Sequence, residues 1–325
     1  MDILVTGSIA FDYLMRFPGK FKEALLTDSI DKLSVSFLVD DMTRHYGGIA
    51  PNIAYTMALL GARPRVFGTA GRDFGDYQTW LENVGVDTST VVVLEDVFTA
   101  SFFANTDVEN NQIASFYAGA MGRAGEFGIR DVTNKMPDLV VISPNAPDAM
   151  HNLIEECLEL DIPFVYDPSQ QTARLDGDAL RHGIDNCNIL TCNEYEWDVI
   201  VNKTGLDLPS LATSDKTLII TRGKQGAHIY HQGEAHFIPT FKEVEIADPT
   251  GVGDAFRAGL LIGLSHGWSW DIAGRIGSLA ATYVLENIGT QNHFFTIDEF
   301  VQRYRTEFDD DGLLDLLRQK RETSA

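Results

Sequence analysis

The residues best placed to do chemistry form the run Asp248-Pro249-Thr250-Gly251-Val252-Gly253-Asp254-Ala255-Phe256. Two glycines free the backbone to turn its N–H groups toward one point, and the apolar run that follows opens a helix whose N-terminus is electropositive. Together they make an anion hole for a phosphoryl group without any basic side chain. Asp254, at the start of that helix, reads equally as a helix cap or as a base.

Such a loop needs strands and helices to hold it. Strands are expected at Ile3 to Thr6, Arg65 to Thr69, Leu139 to Ile142, Phe164 to Tyr166, Asn188 to Thr191 and Thr217 to Thr221. Helices are expected between them, at Ala50 to Leu60, Phe74 to Asn83, Ala149 to Leu160, Glu194 to Asn202, Gly253 to Leu264 and Asp271 to Glu286. This alternation predicts an α/β fold, a mostly parallel central sheet flanked by helices on both faces, with ligands beyond the carboxyl ends of the strands. Two stretches break the rhythm. Residues 11–46 hold strand-like runs at Tyr13 to Phe17 and Leu33 to Val39, and residues 96–118 hold others at Thr99 to Asn105 and Gln112 to Tyr117. They read as a small β lid over the mouth of the sheet or as a decorative insertion. The division is then a large α/β nucleotide-binding unit of residues 1–10, 47–95 and 119–325, and a lid of residues 11–46 and 96–118. Residues 309–325 read as a short amphipathic helix with a frayed end.

The chain has 325 residues, and 25 Lys+Arg against 47 Asp+Glu give a formal net charge of −22. This argues against a nucleic-acid polymer or an anionic membrane as partner, since both are bound through basic patches. With 44% hydrophobic and 22% charged residues the composition is that of a globular protein able to bury a large core. No apolar run approaches a membrane span, and the N-terminus lacks the pattern of a signal peptide. Cys157, Cys187 and Cys192, without paired spacing, read as reduced, buried thiols of a cytoplasmic protein.

The glycine loop resembles the C-terminal signature of the ribokinase-like (PfkB-type) carbohydrate and nucleoside kinases, in which the residue matching Asp254 is the catalytic base. Gly47-Gly48-Ile49-Ala50-Pro51-Asn52, with Gly61, Gly68, Gly71, Asp73 and Gly75, is similar to the family's N-terminal signature, and Asn193-Glu194-Tyr195-Glu196 to its Asn-x-x-Glu motif. Residues 8–12, 14–19, 36–41, 112–117 and 167–171, together with Pro249, Val252 and Arg257, are similar to the bacterial adenosine kinases best known from actinobacteria.

That resemblance implies transfer of the ATP γ-phosphoryl group to the adenosine 5′-hydroxyl, giving AMP and ADP in purine salvage. Asp254 would take the hydroxyl proton, with the amides of Gly251, Val252 and Gly253 at the phosphoryl oxygens. Asp12, Asn52 and the backbone at Gly48 would bind the ribose, a carboxylate suiting a vicinal diol, with Ser8 and Ser36 adding hydroxyls. Phe102 and Phe116 match the adenine clamp, although such rings also serve simply to pack a lid. Gln170, Gln171 and Arg174 follow a strand end, where polar ligand contacts gather. ATP would lie along Asn193, Gly253 and the turn Thr221-Arg222-Gly223-Lys224-Gln225-Gly226. Glu196 would reach Mg²⁺ through water, and Asp248, with the loop near Gly289, matches the usual place of a monovalent cation such as K⁺. Exposed β edges and family habit suggest a homodimer formed through the lid.

A sugar kinase of the same fold, a ribokinase or fructokinase, is the nearest alternative, and a non-catalytic nucleoside sensor a more distant one. His228, His231 and His236 are split across strand faces and lack zinc-site companions. Trp197, Trp268 and Trp270 read as packing. No Walker-type Gly-Lys-Ser/Thr and no dinucleotide G-x-G-x-x-G occurs.

Overall fold

The computed structural model describes residues 1–24, 34–242 and 246–322. Its strands are β1 (Ile3–Thr6), β2 (Ala10–Arg16), β3 (Asp41–Gly47), β4 (Arg65–Phe67), β5 (Thr69–Gly71), β6 (Val92–Leu94), β7 (Ala100–Thr106), β8 (Gln112–Tyr117), β9 (Leu139–Ile142), β10 (Phe164–Tyr166), β11 (Ile189–Asn193), β12 (Thr217–Thr221), β13 (Ala227–His231) and β14 (Glu234–Ile238). The helices are α1 (Phe21–Ala24), α2 (Ile49–Leu59), α3 (Gly75–Val84), α4 (Ile129–Val132), α5 (Pro147–Glu159), α6 (Gly177–Asn186), α7 (Glu194–Thr204), α8 (Leu208–Ala212), α9 (Val252–Ser265), α10 (Trp270–Leu285), α11 (Ile297–Arg305) and α12 (Asp315–Glu322).

The central sheet runs β14-β13-β12-β11-β10-β9-β1-β4, parallel from β12 to β4 and antiparallel at β13 and β14. Side chains alternate across a strand, and here both faces are apolar. Ile3, Val5, Val141, Val165 and Ile219 enter one core with α2, α9 and α10, whereas Leu4, Val140, Ile142, Tyr166 and Ile220 enter the other with α5, α6 and α7. Burial on both faces is what a parallel sheet requires. The fold is ribokinase-like, as the sequence pattern and resemblance implied.

A second sheet, β3-β2-β7-β8, stands apart from the first. Apart from Ala10 and Gly47, its members lie within the two sequence stretches that broke the α/β rhythm. One expected strand does not form there. Leu33 lies outside the described residues, Ser34 to Val39 is irregular, and the partner of β2 is Asp41–Gly47 instead. Of its apolar residues Phe37 packs, meeting Phe17 and Phe21 edge-on at 5.1 and 4.9 Å, whereas Val35 and Leu38 are exposed. The expected strand Arg65 to Thr69 is likewise divided at Gly68, where a Cβ would approach the Gly7 carbonyl to 2.6 Å. At its C-terminal end the chain forms α12, close to where a short helix was expected.

Candidate active site

Helices α2 and α9 pack together and point their N-termini into a cleft of about 690 Å³ between the two sheets, a size suited to a small-molecule ligand. Neither N-cap residue has a side chain to cap with, although Ser8 Oγ accepts from Ile49 N–H of α2 at 3.3 Å. At α9 the N-cap is Gly251, with φ +81°, a left-handed conformation; a Cβ there would also approach Thr290 Cγ2 to 2.9 Å. The bend leaves the N–H groups of Gly251, Gly253 and Asp254 without a protein acceptor among the described residues, while Val252 N–H turns weakly toward the Pro249 carbonyl at 3.5 Å. Unpaired N–H groups at a helix start attract an anion. Gly48, at the start of α2 with φ +91°, packs so closely on Ser8 to Ala10 that a Cβ would collide with the backbone.

Asp254 is the third residue of α9 and caps nothing. One carboxylate oxygen accepts from Asn52 Nδ2 at 2.9 Å, and the other lies 3.5 Å from Arg257 Nη2. Burial pushes its pKa upward, opposed by Arg257 and by the Asn52 hydrogen bond. Asn52 is fixed in turn, because its Oδ1 accepts from Gln291 Nε2 at 2.9 Å, and Gln291 Oε1 accepts from Trp80. One turn along α9, Arg257 also reaches Asp167 Oδ2 at 2.6 Å. Asp167, at the end of β10 and fully buried, is pushed up to about 7 by burial despite that cation.

The second sheet supplies the opposite wall. Register pairs His45 with Asp12, Asp12 with Phe102, and Phe102 with Phe116, so the four side chains form one row across β3, β2, β7 and β8. Adjacent members are separated by the strand spacing, about 4.8 Å. Asp12 accepts no hydrogen bond from the described residues, and burial raises its pKa against the pull of His45. Phe116 is 50% exposed, and neither ring belongs to a buried core cluster. Gln171 donates from Nε2 to the Asn145 carbonyl at 2.7 Å, which leaves its buried Oε1 without a donor.

Of the residues singled out from sequence, the cleft wall gathers Ser8, Asp12, Gly48, Asn52, Phe102, Phe116, Gln170, Gln171, Arg174, Asn193, Glu196, Thr221, Gly251, Gly253 and Asp254. Ser36 is not among them; it is exposed in the irregular segment before β3. Arg222, Gly223, Lys224 and Gly226 lie outside the wall, on the turn that continues from Thr221, and Arg222 faces Glu194 at 3.5 Å. Asn193 and Glu196 form the capping box of α7, each side chain accepting from the other's N–H at 2.8 Å. Asp248 accepts from Thr250 N–H and Oγ1 and from Gly289 N–H. Partial burial opposes ionisation of Asp248, but those donors hold its pKa below the usual carboxylate value. His236 is paired with Asp271 at 2.9 Å, and the three cysteines are buried free thiols. Sequence reasoning assigned no role to Arg257, Asp167 or Gln291. The first two sit in the motifs that carried the resemblance, whereas Gln291 had no signal beyond its place after Gly289.

Comparison with known proteins finds relatives over most of the chain. The family model for pfkB family carbohydrate kinases matches residues 8–296. The chain is 37% identical to the nucleoside kinase of Burkholderia thailandensis, whose ligand-free structure superposes with a TM-score of 0.83 over 93% of this chain and 99% of that one. A structure of the Burkholderia thailandensis enzyme in complex with inosine gives 0.79 over 94% and 98%. The nucleoside kinase of Methanothermobacter thermautotrophicus is 28% identical over 94% of this chain and 96% of its own. The chain belongs to the PfkB family of kinases.

Proposed function

We propose that the chain is an ATP-dependent nucleoside kinase whose acceptor is adenosine. The observation that carries this reading is the row Asp12–Phe102–Phe116 facing the uncapped helix start at Gly251 and Asp254. A carboxylate with no protein donor suits a sugar diol, and two rings beside it suit a flat base. A bare sugar would leave both rings without a role, which counts against a ribokinase or fructokinase. Ser8, Gly48 and Asn52 border the sugar end, and Gln170, Gln171 and Arg174 the base end. Gln171 Oε1, an acceptor with no donor, suits the exocyclic amino group of adenine. The N1–H of hypoxanthine would also satisfy it, and the Burkholderia complex with inosine favours that second reading.

In the proposed reaction the 5′-oxygen attacks the γ-phosphorus of ATP, the bond to the β-phosphate oxygen breaks, and the hydroxyl proton passes to Asp254. The free N–H groups of Gly251 and Gly253 hold the phosphoryl oxygens, with Val252 completing the turn. ATP extends from the loop past Asn193 and Thr221 toward Arg222, Gly223, Lys224 and Gly226. Mg²⁺ fits beside Glu196, whose Oε1 has, among the described residues, only a long 3.4 Å contact from Ser169, and would neutralise phosphate charge there. For K⁺, Asp248 has three of its roughly four acceptor sites taken, leaving one. Lid-to-lid dimerisation is supported by β8, exposed along its whole length with Ile113, Phe116 and Tyr117 on it; sedimentation reading a monomer would remove it. Buried, unpaired thiols support a cytoplasmic location.

The test is a coupled ADP-release assay across adenosine, inosine, guanosine, ribose and fructose. Adenosine should give the highest kcat/KM. A preference for ribose or fructose would overturn the nucleoside reading, and a preference for inosine would replace only the base assignment.

A further inference from the structure

On the outside of the large unit, His151 and Glu155 stand four residues apart on α5, on one face of the helix. Helix α6 lies against that face and brings His182 across, its Nε2 2.5 Å from Glu155 Oε1. One donor atom from each of the three side chains falls within 4.8 Å of the others. The two imidazole rings are tilted by 45° at 5.4 Å, so they converge without stacking. We propose that His151, Glu155 and His182 form a binding site for a transition-metal dication, with Zn²⁺ the best-fitting ion.

Three features support a metal over a plain His–Glu ion pair. First, donors bound to zinc at about 2.0–2.1 Å must lie within roughly 3.5 Å of one another. The observed spread of up to 4.8 Å exceeds that limit by about 1.3 Å, on side chains that are exposed or half-buried. Second, two imidazole nitrogens and one carboxylate oxygen are a borderline donor set, suited to zinc and poorly suited to Mg²⁺ or Ca²⁺, which favour oxygen alone. Third, Glu155 has no Lys or Arg partner among the described residues, so His182 is the only cation source it meets. Asn186, one turn further along α6, lies 3.5 Å from His182 Nδ1 and keeps the opposite nitrogen aimed at α5. With three protein ligands, a fourth position stays open to water.

Placement suggests what such an ion does. Helix α5 begins three residues after Pro144, and α6 shortly after Ser169, Gln170, Gln171 and Arg174, all of the cleft wall. The Gln171–Asn145 hydrogen bond already ties those two segments. An ion between His151 and His182 would tie the helices behind them, making it a structural clamp outside the reaction.

The test is isothermal titration of the chelator-treated full-length protein with ZnCl₂, beside the variants His151→Ala, Glu155→Gln and His182→Ala, with Co²⁺ absorption as a second readout. All three positions are at least partly solvent-exposed, so the variants should keep the wild-type circular dichroism. One Zn²⁺ per chain is expected, with affinity falling more than about tenfold in each histidine variant. The ligand-field bands of bound Co²⁺ should vanish in the same variants, and excess MgCl₂ should not displace the zinc. The three cysteines are buried and do not compete. Unchanged affinity in the His151→Ala/His182→Ala double variant, displacement by Mg²⁺, or loss of binding only in Glu196→Gln would overturn the assignment.

Discussion

Replacing Arg257 by Met should move the acidic limb of the kcat/KM–pH profile to higher pH, because Arg257 is the cation beside the proposed base. Its Nη2 lies 3.5 Å from Asp254 Oδ1. Coulomb's law at that distance gives about 4.7 kcal/mol at an effective dielectric of about 20 and about 1.2 kcal/mol in water. At about 1.36 kcal/mol per tenfold, the proton affinity of Asp254 should rise by somewhere between roughly tenfold and roughly three thousandfold. The same change strips buried Asp167 of its 2.6 Å partner. Asp167, already up to about 7, then stays protonated at neutrality and removes one negative neighbour, so the lower half of that range is expected. The sign follows from the chemistry: only ionised Asp254 accepts a proton, burial already raises its pKa, and losing the cation raises it further. Initial-rate ADP release at saturating ATP, from acid to alkaline pH, should show Arg257→Met poorest in acid and recovering as pH rises. Arg257→Lys, which keeps the charge, should track the wild type. A loss of equal factor at every pH would refute the electrostatic role and leave Arg257 as packing or phosphate contact alone.

Other perturbations test the remaining parts of the site. Asp254→Asn should lower kcat by roughly 10²–10⁴-fold; retention of more than about a tenth of wild-type turnover would remove it as the base. Phe102→Ala should raise the adenosine KM by about 5- to 150-fold, the equivalent of about 1–3 kcal/mol of stacking, and an unchanged KM would put the ring outside the substrate site. Gly251→Ala forces a side chain into a left-handed conformation costing about 1–2 kcal/mol and presses on Thr290, so both kcat and melting temperature should fall; a wild-type melting curve would contradict the close approach. If Asp248 helps to hold a monovalent cation, activity should be higher in K⁺ than in choline, and equal rates in Na⁺, K⁺ and choline would end that reading.

Much of the framework could be read from residue order. The expected strands at Ile3–Thr6, Leu139–Ile142, Phe164–Tyr166 and Thr217–Thr221 form with those bounds, because a parallel strand buried on both faces needs a continuous apolar run. Leu33 to Val39 misled for the converse reason. An apolar residue there can pack without pairing, and Phe37 does so, edge-on against the stacked pair Phe17 and Phe21. The pairing strand came instead from Asp41–Gly47, a polar run that a sheet open to solvent accepts. Asn193 and Glu196 were marked by their motif, yet the motif alone could not tell a nucleotide contact from the reciprocal cap they form.

The sequence by itself determined the glycine turn at Gly251, the helix that follows it and the α/β alternation, because N–H direction and strand periodicity are set within a few residues. Whether Asp254 would cap its own helix was a local question with two local answers. Only the tertiary structure decided it, by setting Asn52, from 202 residues away, against one carboxylate oxygen, beside the local contact of Arg257 one turn along the same helix. In the same way the register of the second sheet, and not any spacing in the chain, lines up Asp12, Phe102 and Phe116 in one row. Contacts between distant residues depend on how helices and sheets pack, and no local preference encodes that.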